Sequence, residues 1–315
     1  MEDSVLASRD QDARPQLEVG VPVTPSDGGA SKKFKFPMVR EPSPEEHRTA
    51  SLAWLELAGP TLIDQWPKDV LALSAPTIFV QVPVLEMLEI FGNNPRAAIE
   101  ALRPLADELD SALGWDRRFF RLNSRSPKDA TWPFEVPVTC SGREVLSVMG
   151  ASERILDDLI EFKYLPEQPA YICLREYNHA IRPEREYRCF VRDGELIAVT
   201  HYDYTKPITA PDDGGRALRE AINAYFRDTL KPRLHLQTVV FDLFIDWNDE
   251  FGLIELNPYG RSDPCWLGSY EEVERFAGYV AFAPPENGSQ HAADTQEVSK
   301  TEGRGRPNKN TITEP

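Results

Sequence analysis

An α+β fold is what this sequence predicts, and three observations carry it. Two pairs of apolar, β-branched runs are each joined by a short polar turn, "RDGE" at 192–195 and "WNDE" at 247–250, the signature of antiparallel hairpins. Helical periodicity comes in separate blocks among strand clusters, with no strict strand–helix alternation. At 315 residues and 41% hydrophobic, the chain can bury one large core or two lobes.

Taken in order, residues 1–45 are rich in Pro, Asp, Ser and Gly with little apolar period, which predicts a disordered tail. "KKFKF" at 32–36 reads as a solvated part of it, with a short docking motif as the alternative. "EEHRTASLAWLELA" (45–58) predicts a helix, and "APTIFVQVP" (75–83) a strand bounded by prolines. "NPRAAIEALRPLADELDSALG" (94–114) is helical, interrupted near Pro104 and stopped by Gly114. "RRFFRLN" (117–123) is a strand, followed by the loop "SRSPKDAT". "SGREVLSVMGASERILDDLIEF" (141–162) is helical, divided at Gly150. "AYICLREY" and "EYRCFVRDGELIAVTHYDY" give three strands, and "GGRALREAINAYFRDTLK" an amphipathic helix. The hairpin at 239–260 closes a core of 46–283, and 284–315 predicts a second disordered tail.

A net charge of −16 and a pI near 4.8 argue against a nucleic-acid binder, whose affinity comes from Lys and Arg. Cys140, Cys173, Cys189 and Cys265 form no CxxC pair, so neither a zinc site nor a disulfide framework is indicated. No apolar run reaches the length of a membrane span, and "MEDSVLASRDQDARPQ" lacks the features of a signal peptide. A cytoplasmic, reduced protein without membrane or nucleic-acid partners is expected.

"VVFDLFIDWNDEFGLIELNPYG" (239–260) places acids inside apolar strands, which costs desolvation energy unless something pairs with them. A turn centred on Asn248 and Asp249 sets Asp242 directly opposite Glu255. Period-two alternation then puts Glu255, Asn257 and Asp242 on one face. Like charges facing one another destabilise a sheet. Two carboxylates and an amide oxygen suit Mg²⁺ or Mn²⁺ holding substrate phosphates. The alternative is an edge hairpin whose acids point to water, and an odd-membered loop would break the register.

Other residues add cations. Arg121 and Asn123 end a strand and Lys128 lies in the next loop, offering donors to phosphate oxygens, with a solvated loop as the alternative. No Walker-type GxxxxGK[ST] is present. Arg188, on a half-buried strand, requires an anion, either a carboxylate such as Glu176 or a nucleotide phosphate. Arg175, Glu176 and Tyr177 end an apolar strand whose edge can hold a purine. The histidines form no HExxH and no GxSxG is found, so no catalytic nucleophile is assigned.

"FFRLNSRSPKDATW", "LREY", "EYRCFVRDGELIAVTHYDYT" and "VVFDLFID…FGLIELNPYG", in that order, resemble the cell division cycle protein 123 family, a divergent branch of the ATP-grasp superfamily. The resemblance implies two α+β lobes clamping ATP with Mg²⁺. It implies Asp242, Glu255 and Asn257 as metal ligands, Arg188 facing the phosphates, and Arg175, Glu176 and Tyr177 beside the adenine. Arg121 falls where the family has a lysine. The full nucleotide set adds Asn123 and Lys128. The resemblance also implies an ATP-dependent assembly factor for translation initiation factor 2, with its gamma subunit or another protein as client. The alternative is an ATP-dependent carboxylate–amine ligase working through an acyl phosphate, in which Arg261 is either a solvated loop arginine or the group that holds the acceptor's carboxylate.

Overall fold

A computed structural model describes residues 42–93, 100–130, 136–203, 208 and 210–282. Helix α1 (Pro44–Ala58) starts at a capping box: the Ser43 hydroxyl accepts from the Glu46 N–H at 3.2 Å, and the Glu46 carboxylate accepts from the Ser43 N–H at 2.7 Å. The expected core boundary at 45/46 therefore falls inside the first turn of α1. The rest of both predicted tails lies outside the described residues.

The first sheet contains β1 (Thr77–Gln81), β2 (Arg118–Leu122), β3 (Val138–Thr139) and β4 (Tyr171–Glu176), all antiparallel in the order β1-β4-β2-β3. Its helices, after the short α2 (Lys68–Leu71), are α3 (Val84–Asn93), α4 (Arg103–Leu113), α5 (Gly142–Ala151) and α6 (Glu153–Lys163). Period-two alternation sorts the strands. Phe120, Leu122, Ile172 and Leu174 pack with Met87, Leu109, Leu146 and Met149 in one core, while Phe119, Arg121, Cys173 and Arg175 occupy the other face.

Two helical expectations meet different outcomes. Helix α4 begins beside Pro104 and stops at Gly114, whose φ of 60° lies in the left-handed region. The break in 141–162 is at Ser152, not Gly150. Ser152 leaves helical geometry and accepts from the Ile155 N–H at 3.2 Å, capping α6. Gly150 stays within α5, where a Cβ would lie 2.7 Å from the Phe91 ring.

The second sheet contains β5 (Glu186–Arg192), β6 (Glu195–His201), β7 (Val239–Ile245) and β8 (Phe251–Asn257), antiparallel in the order β6-β5-β7-β8. Asp193 and Gly194 turn β5 into β6 with φ of 52° and 78°, as an Asp-Gly hairpin requires. Helix α7 (Arg216–Tyr225) continues through a π turn at Phe226–Leu230, and Ile222, Phe226 and Leu230 cover Cys189, Phe241 and Leu243. On the opposite face, Leu267 and Val273, the latter from α8 (Tyr270–Arg275), cover Phe190, Ala198 and Val240. This double coverage explains the near-continuous apolar runs. The uncovered end of that face carries the charges.

Between the sheets, the Leu253 N–H donates to the Leu73 carbonyl at 2.9 Å, and the Ser74 hydroxyl donates to the Leu253 carbonyl at 2.8 Å. These bonds hold the segment before β1 against β8. No helix of the described residues is long and apolar enough to cross a membrane.

Candidate functional site

Where the uncovered end of the second sheet meets the polar face of the first, a cavity of about 420 Å³ opens. Its floor is the β7–β8 hairpin. Ile245 pairs with Phe251, so the loop is odd-membered and the expected two-residue turn centre is wrong. A bulge between Asp242 and Leu243 shifts the register, and Asp242 faces Glu255 after all. The extra residue in the loop is absorbed by an extra residue in the ladder.

Each acid has a guanidinium. Arg188 donates from Nε and Nη2 to the two oxygens of Asp242, both at 2.8 Å, and from Nη1 to the Asp263 carbonyl at 2.7 Å. Arg121 Nη2 lies 2.6 Å from Glu255 Oε1. The same guanidinium donates to the carbonyls of Leu122 and Ser124 at 3.0 and 2.9 Å. Burial opposes ionisation of Glu255, but Arg121 and Lys128 overcome it and hold the carboxyl well below its ordinary range. Asn257 donates to Asp242 Oδ2 at 3.1 Å.

Seven of the ten residues expected to hold nucleotide line the cavity: Arg121, Lys128, Arg175, Glu176, Tyr177, Asp242 and Glu255. Arg188 and Asn257 stand behind it, touching Asp242. Asn123 is elsewhere. Its amide donates to Asp64 Oδ1 at 2.7 Å and its oxygen accepts from the Tyr171 N–H at 3.3 Å, tying the chain before α2 to the first sheet. Asn123 is fully buried there and makes no part of the cavity wall.

Arg175 reaches from β4 to the Ile254 carbonyl at 2.8 Å and to the Ser74 hydroxyl. Its Nε is buried with no hydrogen-bond partner among the described residues. Burial and the nearby Arg121 charge bring its pKa down to about 10. For Lys128, burial is outweighed by Tyr202, Glu255 and Asp242, which together raise its pKa.

Two ionisable residues of the cavity wall were not among the sequence candidates. Glu186 sits two positions before Arg188 on β5, opposite Phe244. Burial and Asp242 push its carboxyl up to about 7, against the opposing charge of Lys128. The alternation that marks Arg188 marks Glu186 too. Tyr202, just past β6, lies in the quoted "HYDYT" and contacts Lys128. The apolar wall comes from Leu73, Phe119, Ile181 and Phe244, with Gly252 leaving room for the Phe244 ring, 2.2 Å from where a Cβ would stand.

The donors fit a hard divalent cation: two carboxylates directly opposed on one ladder and an amide beside them. No group of three or more His, Cys, Asp or Glu gathers for a metal among the described residues. The surrounding cations and apolar wall suit a ligand with an aromatic body and an anionic tail.

The D123 family profile matches residues 98–312, well over half of the chain. The chain belongs to the D123 family. Cell division cycle protein 123 of Candida glabrata is 31% identical over 170 residues, covering 49% of this chain and 46% of that protein. A Xenopus laevis protein named translation initiation factor eIF2 assembly protein is 27% identical over 166 residues, covering 50% and 49%. The chain spans about half the length of the curated relatives it matches. The structure of Cdc123 from Schizosaccharomyces pombe aligns with a TM-score of 0.56 at 21% identity, covering 73% of this chain and 98% of that one. Its fold is shared. The D123 match also runs past the last described residue, through part of the sequence expected to be disordered.

Proposed function

We propose that this D123 chain is an ATP-grasp-like protein that binds Mg²⁺-ATP and works as an ATP-dependent assembly factor. Its client class is a translation initiation factor 2 complex, in keeping with the names of its relatives. The observation that carries the nucleotide reading is the meeting, in one cavity, of the opposed pair Asp242 and Glu255 with Arg121, Arg175 and Lys128. The β4 end at Glu176 and Tyr177, with the apolar wall, receives the base. Arg175 and Lys128 take phosphate oxygens, and Arg121 and Arg188 fix the two carboxylates. Mg²⁺ held by Asp242, Glu255 and Asn257 would neutralise phosphate charge. Nucleotide occupancy, by filling the gap between the sheets, then sets affinity for the client.

A ligand that binds only the folded state stabilises it by mass action, by about 2.7 kcal/mol at roughly 100 times its dissociation constant. Melting of the chain should rise with ATP and Mg²⁺ together and much less with ATP in chelator. No rise at millimolar ATP and Mg²⁺, with the chain demonstrably folded, refutes the nucleotide reading. Recovery of an initiation-factor subunit from a native extract only when ATP is present supports the assembly role. Release of ADP on adding carboxylate and amine acceptors would point to the ligase instead.

A further inference from the structure

Asp158 is only 1% exposed on α6, whose other buried residues are Ile155, Leu159 and Phe162. A carboxylate there costs desolvation energy that an apolar side chain would not. What it gains is a hold on the loop after β2. Arg125 donates from Nε to Asp158 Oδ2 at 2.7 Å and from Nη2 to Oδ1, and the Ser124 hydroxyl donates to Oδ2. The loop is fastened again at its far end. Asp129 accepts from the Ser152 hydroxyl at 2.5 Å and from the Arg154 N–H at 3.1 Å, at the start of the same helix.

Between the two fastenings lie Ser126, Pro127 and Lys128. Ser126 and Lys128 are part of the cavity wall, whereas no residue of α6 is. The backbone bonds of the loop are local turns: Leu122 N–H to the Arg125 carbonyl, Lys128 N–H to Ser126, and Ala130 N–H to Pro127. Side chains therefore place it against its surroundings. On the cavity side, the Ser124 carbonyl accepts from Arg121 Nη2 at 2.9 Å, the same group that pairs with Glu255. The loop thus bridges α6 and the arginine that meets β8.

Building on the nucleotide reading above, we infer that Asp158 and Asp129 are positioning residues for the site. Between them they tie segment 124–129 to α6 as a fixed part of the cavity wall, set before a polyphosphate arrives, instead of a lid that closes over it. A wall set in advance needs no ordering on binding.

Amide hydrogen exchange on the full chain, beside calorimetric titration of Mg²⁺-ATP, tests this in Arg125→Met and Asp129→Ala. Each releases one fastening, and the readout is the segment 122–130, where the Leu122, Lys128 and Ala130 N–H groups close the turns. In the nucleotide-free parent the segment should be protected. Each variant should raise its exchange at least about tenfold, what the loss of a charged hydrogen bond supplies, with the β7–β8 hairpin unchanged. Mg²⁺-ATP should then bind about three- to tenfold more weakly, the cost of ordering one or two side chains on binding, and should restore the protection. Faster exchange with unchanged affinity overturns the proposal, as does unchanged exchange in both variants. A rise shared by the whole molecule assigns the acids to general stability and overturns it too. So does a parent segment that is protected only once Mg²⁺-ATP is added, since that is a lid. If Arg125→Met does not fold, Arg125→Lys, which keeps the charge and loses the fork, is read in its place. A folded parent that does not bind Mg²⁺-ATP overturns the nucleotide reading and this proposal together. Parent binding that neither variant weakens overturns this proposal alone.

Discussion

Glu186 illustrates how much the cavity asks of single side chains. It shares a strand face with Arg188, yet Arg188 is committed to Asp242, and burial with the nearby acids pushes the Glu186 carboxyl up to about 7. A carboxyl with a folded-state pKa above its unfolded one is stabilising in its protonated form. That stability is fully present below the unfolded pKa and is lost as pH rises through the folded one. Glu186→Gln, which fixes a neutral side chain, should therefore melt increasingly above the parent between about pH 5 and about pH 8, and level off beyond. A gap between variant and parent that does not change with pH would show that the carboxyl is already ionised in the folded chain. Glu186 was legible in principle, since alternation from Arg188 points to it. Asn123 shows the opposite limit. Alternation places it on the face of Arg121, but the strand ends at Leu122 and the amide turns to Asp64, a partner far away in sequence.

The β7–β8 hairpin carries the chemistry among the elements, and its register came out of the sequence for an incomplete reason. Two features went unread, the odd-membered loop and the compensating bulge, and each alone would have separated Asp242 from Glu255. A bulge leaves almost no mark on an apolar–polar pattern, because it changes pairing without changing residue types. Of its partner arginines, Arg188 was legible as a buried cation in need of an anion, whereas the pairing of Arg121 with Glu255 was hidden, since Arg121 comes from the first sheet. They reverse a stability expectation. Two unpaired acids across a ladder would repel, and neutralising one would stabilise the sheet. With Asp242 in a two-pronged bond to buried Arg188, Asp242→Asn strands a buried guanidinium. Losing one partner of a buried pair costs about 3–5 kcal/mol; the remaining bond to the Asp263 carbonyl and the new amide oxygen offset part of that. Nucleotide-free melting of Asp242→Asn should fall clearly below the parent, and equal or higher melting would contradict the pairing. Elements with strong local signals were readable, as the Asp-Gly turn and the Gly114 stop show. The two-residue β3 and the short α8 were not, being too brief to show a period.

Across the whole molecule, the first sheet buries one face against helices, the second is covered on one face and on part of the other, and charged residues of both line one cavity. The antiparallel hairpins made the α+β class legible. The meeting of Arg121 and Arg175 from the first sheet with β8 of the second was not, because no local pattern encodes a contact between strands so far apart in sequence. That meeting gives the cavity its composition, cations from one sheet and opposed acids from the other. The central claim is that this composition binds Mg²⁺-ATP. Calorimetric titration of Mg²⁺-ATP into the parent chain and into Glu255→Gln tests it most directly, with the variant's fold checked by circular dichroism. The parent should bind, and Glu255→Gln should bind at least about tenfold more weakly, since even outer-shell partners of a metal are worth that much. Absence of binding to the parent, or equal affinity in the folded variant, would contradict it.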